Sequence, residues 1–372
     1  MQLRPGGGWR TTLKTALAST ITRAHDRGLT APLARDASRP LILGYHRVVD
    51  DYAAVARTEM PSMLTSTAMF ERHLDCIGRR FRFVSLEEIG EHIESGVPFS
   101  GPVAAVTFDD GYRDVYEHAY PILRRKGIPA AVFVVTDLVD RPFWQVHDKL
   151  YYLVARAFTT WENPRRELSG LLAGLGLAAE DLTLARSATR TPLLAVSALL
   201  PGLAQADVHR LMNGLEATVG NGFHVPLPLG WPELAEMRRG GITIGSHTRS
   251  HVSLPMESDA VVADELETSR RRLEQGLGAP VTHFAYPGGQ FSGRIVEAVE
   301  RAGYRFAYTA CPHDDGTHPA LTQERLLLWE GSSVDSDGRF SEAILTCQAQ
   351  DLWPPSWRCD RLHHGDECRA RG

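Results

Sequence analysis

The 372-residue chain lacks the features that mark several protein classes. Cysteine is scarce. Cys76, Cys311, Cys347, Cys359 and Cys368 are odd in number, widely scattered and form no Cys-x-x-Cys, so no disulfide framework is expected. No apolar run approaches the roughly 18 residues of a membrane span. Neither sign of charge dominates: 40 Lys and Arg face 45 Asp and Glu, a net charge of −5. That balance lacks the basic footprint of a nucleic-acid binder. Internal repeats and low-complexity segments are missing as well. Near the N-terminus the apolar stretch from Thr15 to Ile21 is broken by Ser and Thr, short of the hydrophobic region of a secretory signal. These absences lead us to expect a cytoplasmic protein. Residues 1–39 could form an amphipathic helix that touches the inner membrane face.

A globular core is affordable at this length without disulfides or a structural metal. From Pro40 strands and helices alternate. Leu41–His46 (LILGYH), Val103–Phe108 (VAAVTF) and Ala130–Thr136 (AAVFVVT) are apolar runs of the kind buried on both faces of a parallel sheet. Thr67–Arg80 carries Phe70, Leu74 and Ile77 at helical spacing, and Tyr112–Lys126 reads as a helix ending at Gly127. After Gly241 the rhythm resumes with ITIGS, a helix bearing Val262, Leu266, Leu273 and Leu277, then HFAYP, a helix from Ser292, RFAYT, and a strand over Leu326–Trp329. Such alternation implies an α/β sheet or barrel with right-handed crossovers. Between about 140 and 230 strand signals fade and Leu-rich helical spacing takes over, too long and too apolar for a loop. We read this stretch as a helical insertion in a domain spanning 40–348. Residues 349–372 form a polar tail, in which Cys359, His363, His364 and Cys368 could hold a metal or form a bridge.

Two motifs carry chemistry. In Thr107-Phe108-Asp109-Asp110-Gly111-Tyr112 a carboxylate pair closes an apolar strand, where α/β barrels place their active sites. A plain alternative is that Asp110 caps the following helix. In Ser246-His247-Thr248-Arg249-Ser250-His251 two histidines four apart, on one side of a helical turn, can share a metal ion, although such a pair is also ordinary surface. Together Asp110, His247 and His251 make a two-His, one-carboxylate face that leaves positions open for water and substrate. Asp109 is then the spare carboxylate for general-base work.

TFDDGY, SHTRSH and FAYPGG (Phe284–Gly289) together resemble the polysaccharide deacetylases with a NodB homology domain, carbohydrate esterase family 4. The resemblance runs from about Leu41 to Thr346 outside the insertion and implies a distorted (β/α) barrel. It further implies Asp109 as general base and Asp110, His247 and His251 as ligands of a divalent cation, zinc first, with cobalt, manganese or nickel as others. The third motif departs from the family pattern: Tyr286-Pro287 is followed by Gly288, whose N–H still offers an oxyanion donor, while one aromatic wall is missing. Tyr286, Pro287 and Gly288 are expected at the substrate. No Arg precedes Pro287 locally; Arg325 either reaches the base from its strand or is a surface residue. A Leu-x-x-His general acid is absent after the last strand. Tyr45-His46 instead resembles a circularly permuted branch in which an N-terminal His is the acid, the alternative being a core histidine bonded to a backbone carbonyl.

The expected reaction is metal-dependent removal of N-acetyl groups from an amino-sugar-containing glycan or glycolipid, in exopolysaccharide or cell-envelope metabolism. The rivals are an amidohydrolase of the same fold acting on a non-sugar amide and a catalytically silent carbohydrate-binding relative. The insertion between the two metal motifs is either a lid or wall that selects substrate or a packing elaboration.

Overall fold

The computed structural model describes residues 9–29, 35, 39–141, 144–177, 191–220, 225–311 and 316–352, the first six of these as backbone alone. The tail residues Cys359, His363, His364 and Cys368 lie outside the described residues.

The described residues form eleven strands: β1 (Leu41–Tyr45), β2 (Arg47–Val49), β3 (Leu64–Ser66), β4 (Arg82–Phe83), β5 (Val103–Phe108), β6 (Ala130–Val134), β7 (Ile242–Ser246), β8 (His283–Ala285), β9 (Phe306–Thr309), β10 (Gln323–Glu324) and β11 (Leu326–Leu327). β2 and β3 pair by themselves. The others form one parallel sheet in the order β10-β9-β8-β7-β6-β5-β1-β11, with β4 attached to β5. Only Arg325 separates β10 from β11. The stretch 323–327 therefore pairs with β9 through its first half, Gln323 opposite Tyr308, and with β1 through its second, Leu326 opposite Leu43. One strand thus joins the two ends of the sheet, and the expected distorted (β/α) barrel closes. Every residue of β1, β5, β6 and β7 is buried, as the unbroken apolar runs require of strands covered on both faces.

Helices cover the outside. Thr67–Gly78 starts at Ser66, whose hydroxyl accepts from the Met69 N–H, and Leu86–Ser95 starts in the same way at Ser85. These caps satisfy donors that a helix start leaves unpaired. The expected helix over Tyr112–Lys126 is divided: Val115–Ala119 is a π-helical turn and Tyr120–Lys126 is α-helical. Pro121 is the physical reason, since it has no N–H to return to Glu117 and the ladder must open there. The last expected strand is also shorter than Leu326–Trp329. Trp329 turns away into a bend in which the Ser332 hydroxyl donates to its carbonyl.

Within 140–230 the described residues form the helices Val146–Thr160, Pro164–Gly174, Pro192–Leu199 and Gln205–Val219. Leu150, Leu153, Val154, Leu199, Leu211 and Leu215 bury one another in a cluster of their own, joined by Met60 from the barrel side. The helix Trp9–Asp26 rests on the helix Glu342–Ala349: Ala18 is fully buried beside Ile344 and Cys347, and Thr22 Oγ1 donates to the Ala343 carbonyl at 3.2 Å. Among the described residues no helix is long and apolar enough to cross a membrane.

Candidate active site

Parallel strands deliver the chemistry-bearing residues to one end of the barrel. Asp109 and Asp110 follow β5, His46 follows β1, His247 follows β7, and Arg325 sits between β10 and β11. β1 pairs with both β5 and β11, so residues far apart in sequence become neighbours.

Asp109 is 3 % exposed and Arg325 likewise 3 %. The guanidinium grips the carboxylate as a fork, Nη1 to Oδ1 at 2.6 Å and Nη2 to Oδ2 at 2.8 Å, and lies over the Phe133 ring. The surface reading of Arg325 is thereby excluded. Burial pushes the Asp109 carboxyl up, but the Arg325 guanidinium, aided by His247 and His46, outweighs it and holds the group below the usual carboxylate range. Asp109 is thus an ionised carboxylate held in one orientation.

Its neighbour is set up in the opposite sense. Asp110 is 1 % exposed, and neither carboxylate oxygen has a hydrogen-bond partner. Burial first, then the charges of Asp109 and Asp148, push its pKa well up. The helix-cap alternative fails, because the carboxylate accepts no N–H. Three imidazoles face it instead: His247 Nε2 lies 3.6 Å and His251 Nε2 3.4 Å from Oδ1, and His147 Nε2 lies 3.6 Å from Oδ2. The ligating atoms of Asp110, His147 and His251 are all within 4.8 Å of one another. Burial lowers the pKa of each of the three imidazoles, that of His147 to about 3, so they are neutral. An orphaned carboxylate ringed by neutral imidazoles is a donor set that fits a divalent cation.

The supports of these groups are visible. The contact between His247 Nδ1 and the Ala285 carbonyl, 2.8 Å, places the proton on Nδ1 and turns Nε2 toward Asp110. The expected helical turn between His247 and His251 is instead a loop. Thr248 and His251 take positive φ of 66° and 62°, as does Asp110 at 72°, a conformation costly for residues with a Cβ. Buried Glu265 holds that loop, accepting from the N–H of Arg249 (2.9 Å) and Ser250 (2.8 Å) and from the Ser250 hydroxyl (2.7 Å). At Asp110 the strain is supported by Gln145, whose side-chain amide donates to the Asp110 carbonyl at 3.0 Å. Gly111 at φ 74° completes that turn.

His46 Nε2 stands 3.9 Å from Asp109 Oδ2 and has no hydrogen bond to a backbone carbonyl, so the core-histidine alternative fails. Burial lowers its pKa to about 4 against the pull of Asp109, and it rests neutral. Tyr286 is fully buried, its hydroxyl donates to the Leu321 carbonyl at 2.9 Å, and its ring packs on Phe284 and Phe291. It belongs to the core because that hydroxyl finds a partner there. Pro287 is buried too, whereas Gly288 is exposed at φ 62°.

Sequence reasoning missed His147, Asp148 and Gln145, which lie at the start of the helix Val146–Thr160 and are all 4–5 % exposed. Tyr112 ties them to the carboxylate motif: its hydroxyl donates to Asp148 Oδ2 at 2.6 Å and lies 2.8 Å from His147 Nε2, and Arg47 stacks over its ring at 4.9 Å. The one available signal was the place of His147 on the apolar stripe with Leu150, Val154 and Ala157.

Comparison with known proteins agrees with this geometry. The polysaccharide deacetylase profile matches residues 96–166 and 192–307, just over half of the chain. YxkH of Bacillus subtilis (strain 168), named for the same family, is 20% identical over 243 residues, 64% of this chain and 56% of that relative; the match thus spans little more than half the relative's length. The Streptococcus pyogenes deacetylase PplD, solved in complex with acetate, superposes with a TM-score of 0.51 at 17% identity, covering 82% of this chain and 97% of that one. IcaB from Ammonifex degensii gives 0.49 at 19% identity over 79% and 93%. With that profile matched over more than half of its length and its barrel shared with PplD, the chain belongs to the polysaccharide deacetylase family of hydrolases.

Proposed function

We propose that the chain removes N-acetyl groups from an amino-sugar-containing glycan or glycolipid by cation-assisted hydrolysis, with release of acetate. The observation that carries this reading is the opposite setting of two adjacent carboxylates: Asp109 is clamped and ionised by Arg325, and Asp110 is orphaned among imidazoles. Neighbouring titratable groups whose environments push them apart have separate tasks.

Asp110, His247 and His251 hold the cation, for which zinc is the first match to imidazole and carboxylate donors, with cobalt, manganese or nickel as substitutes. Bound there, the cation supplies Lewis acidity to the amide carbonyl and to the attacking water. Asp109 takes the proton of that water, and the Arg325 fork keeps its carboxylate aimed. The Gly288 N–H, at the carboxyl end of β8, serves as oxyanion donor. His46, neutral at rest and 3.9 Å from Asp109, receives the proton that Asp109 took from the water and, so protonated, gives it to the leaving amine, which departs as the amino sugar while acetate is released. Closure of the acyl bond to oxygen and protonation of nitrogen thus draw on one water.

The test is acetate release from N-acetylglucosamine oligomers by the full chain and by Asp109→Asn. The expected variant keeps its cation and loses turnover by at least about 10²-fold, the scale of a general base. Turnover at the parental rate contradicts the assignment of Asp109.

A further inference from the structure

The insertion reaches the cation site through one residue that neither the family motifs nor the two-His, one-carboxylate pattern includes. His147, in the first turn of Val146–Thr160, is 4 % exposed. Its Nε2 is 3.6 Å from Asp110 Oδ2, comparable with the 3.6 and 3.4 Å of His247 and His251 from Oδ1. Its ring centroid is 4.9 Å from that of His251. These separations are informative. They exceed a normal N–H···O hydrogen bond, about 2.9 Å, yet donors at about 2.05 Å from a tetrahedral zinc stand roughly 3.3–3.4 Å from one another. Each of the three imidazoles therefore stands off Asp110 at nearly the spacing of a co-ligand, the ligating atoms of Asp110, His147 and His251 lie within 4.8 Å of one another, and neither Asp110 oxygen has a hydrogen-bond partner.

We propose that His147 is a fourth protein ligand of the resting cation, supplied by the helical insertion. This inference rests on the cation-assisted reading above and deepens it. Three donors come from the ends of β5 and β7, and the fourth comes from an element outside the barrel. Cation binding then fastens the insertion to the barrel mouth, with Gln145 on the Asp110 carbonyl and Asp148 on Tyr112 as adjoining contacts. A catalytic centre needs room for water and substrate, so His147 would yield its position when substrate arrives. His147 Nε2 also lies 2.8 Å from the Tyr112 hydroxyl, whose proton goes to Asp148, so the imidazole gives up that bond to ligate the cation and resumes it on release.

The experiment uses the full chain loaded with Co2+ and reads two quantities apart from activity: affinity by chelator competition, and the visible absorption of the bound ion. His147→Ala, and His147→Gln in case the smaller residue disturbs the helix start, are expected to bind one Co2+ at least about tenfold more weakly, the lower range seen when even supporting groups are lost. Their d–d bands should be altered in position and intensity. Tyr112→Phe removes the hydrogen bond and keeps the imidazole, so its spectrum should stay that of the parent. Parental affinity and an unchanged spectrum in both His147 variants overturn the proposal while leaving the three-ligand site intact. Failure of the unaltered chain to bind Co2+ overturns the site itself, and with it this inference.

Discussion

Arg325 and Asp109 lie 216 positions apart in the chain and meet as a two-pronged ion pair inside the barrel, at 2.6 and 2.8 Å. The contact is made at the seam where the last strand joins both ends of the sheet. Closure of the fold and orientation of the Asp109 carboxylate are thus one event. Arg325→Ala leaves the buried carboxylate without its counter-charge, which costs about 3–5 kcal/mol of stability and about 10²-fold in kcat. Arg325→Lys keeps a charge and loses the fork, so it should fall between. Thermal unfolding and acetate release measure both, and a fully active Arg325→Ala enzyme would remove Arg325 from the mechanism.

Glu265 governs the histidine loop without touching the cation position. Its carboxylate accepts from two backbone N–H groups and the Ser250 hydroxyl, which holds Thr248 and His251 at positive φ. Glu265→Ala should weaken zinc binding about 10–100-fold, the usual effect of losing a supporting group, with the barrel still folded. Calorimetric titration with zinc reads this directly; unchanged affinity would show that the loop holds its shape without Glu265.

Acid stability should depend on His73, a residue remote from the chemistry. It is fully buried, bonded to Ser333 Oγ at 2.7 Å and Tyr45 Oη at 3.3 Å, and burial lowers its pKa to about 3. The unfolded chain takes up a proton near pH 6.5 that the folded chain refuses. Stability from this group is therefore complete above pH 6.5 and is lost as pH falls toward 3, at about 1.4 kcal/mol per unit. Melting curves of the parent and of His73→Gln between pH 7 and 4 should diverge, the variant declining less steeply. Parallel curves would contradict it.

What the sequence revealed and what it hid follow from the range of the interactions. Strands buried on both faces write themselves as apolar runs, and chemistry at their carboxyl ends is then local: Asp109 and Asp110 end VAAVTF, and His247 ends ITIGS. The two roles of Arg325 could not be separated, because its partner depends on the closing register of the barrel. His147 was hidden for the same reason, since its neighbours are decided by where an inserted helix docks. The motif of Tyr286 is local, whereas the partner of its hydroxyl, the Leu321 carbonyl, depends on the packing of a distant segment. The π turn at Val115–Ala119 was readable in principle from Pro121, which removes one rung of the ladder.

The central claim is that Asp110 and its imidazoles hold a cation that the hydrolysis needs. The most direct measurement is acetate release from N-acetylglucosamine oligomers by the full chain as purified, after chelation, and after zinc is restored. The account predicts one zinc per chain, loss of acetate release on chelation and its return with zinc. Acetate release that persists in metal-free protein would contradict it.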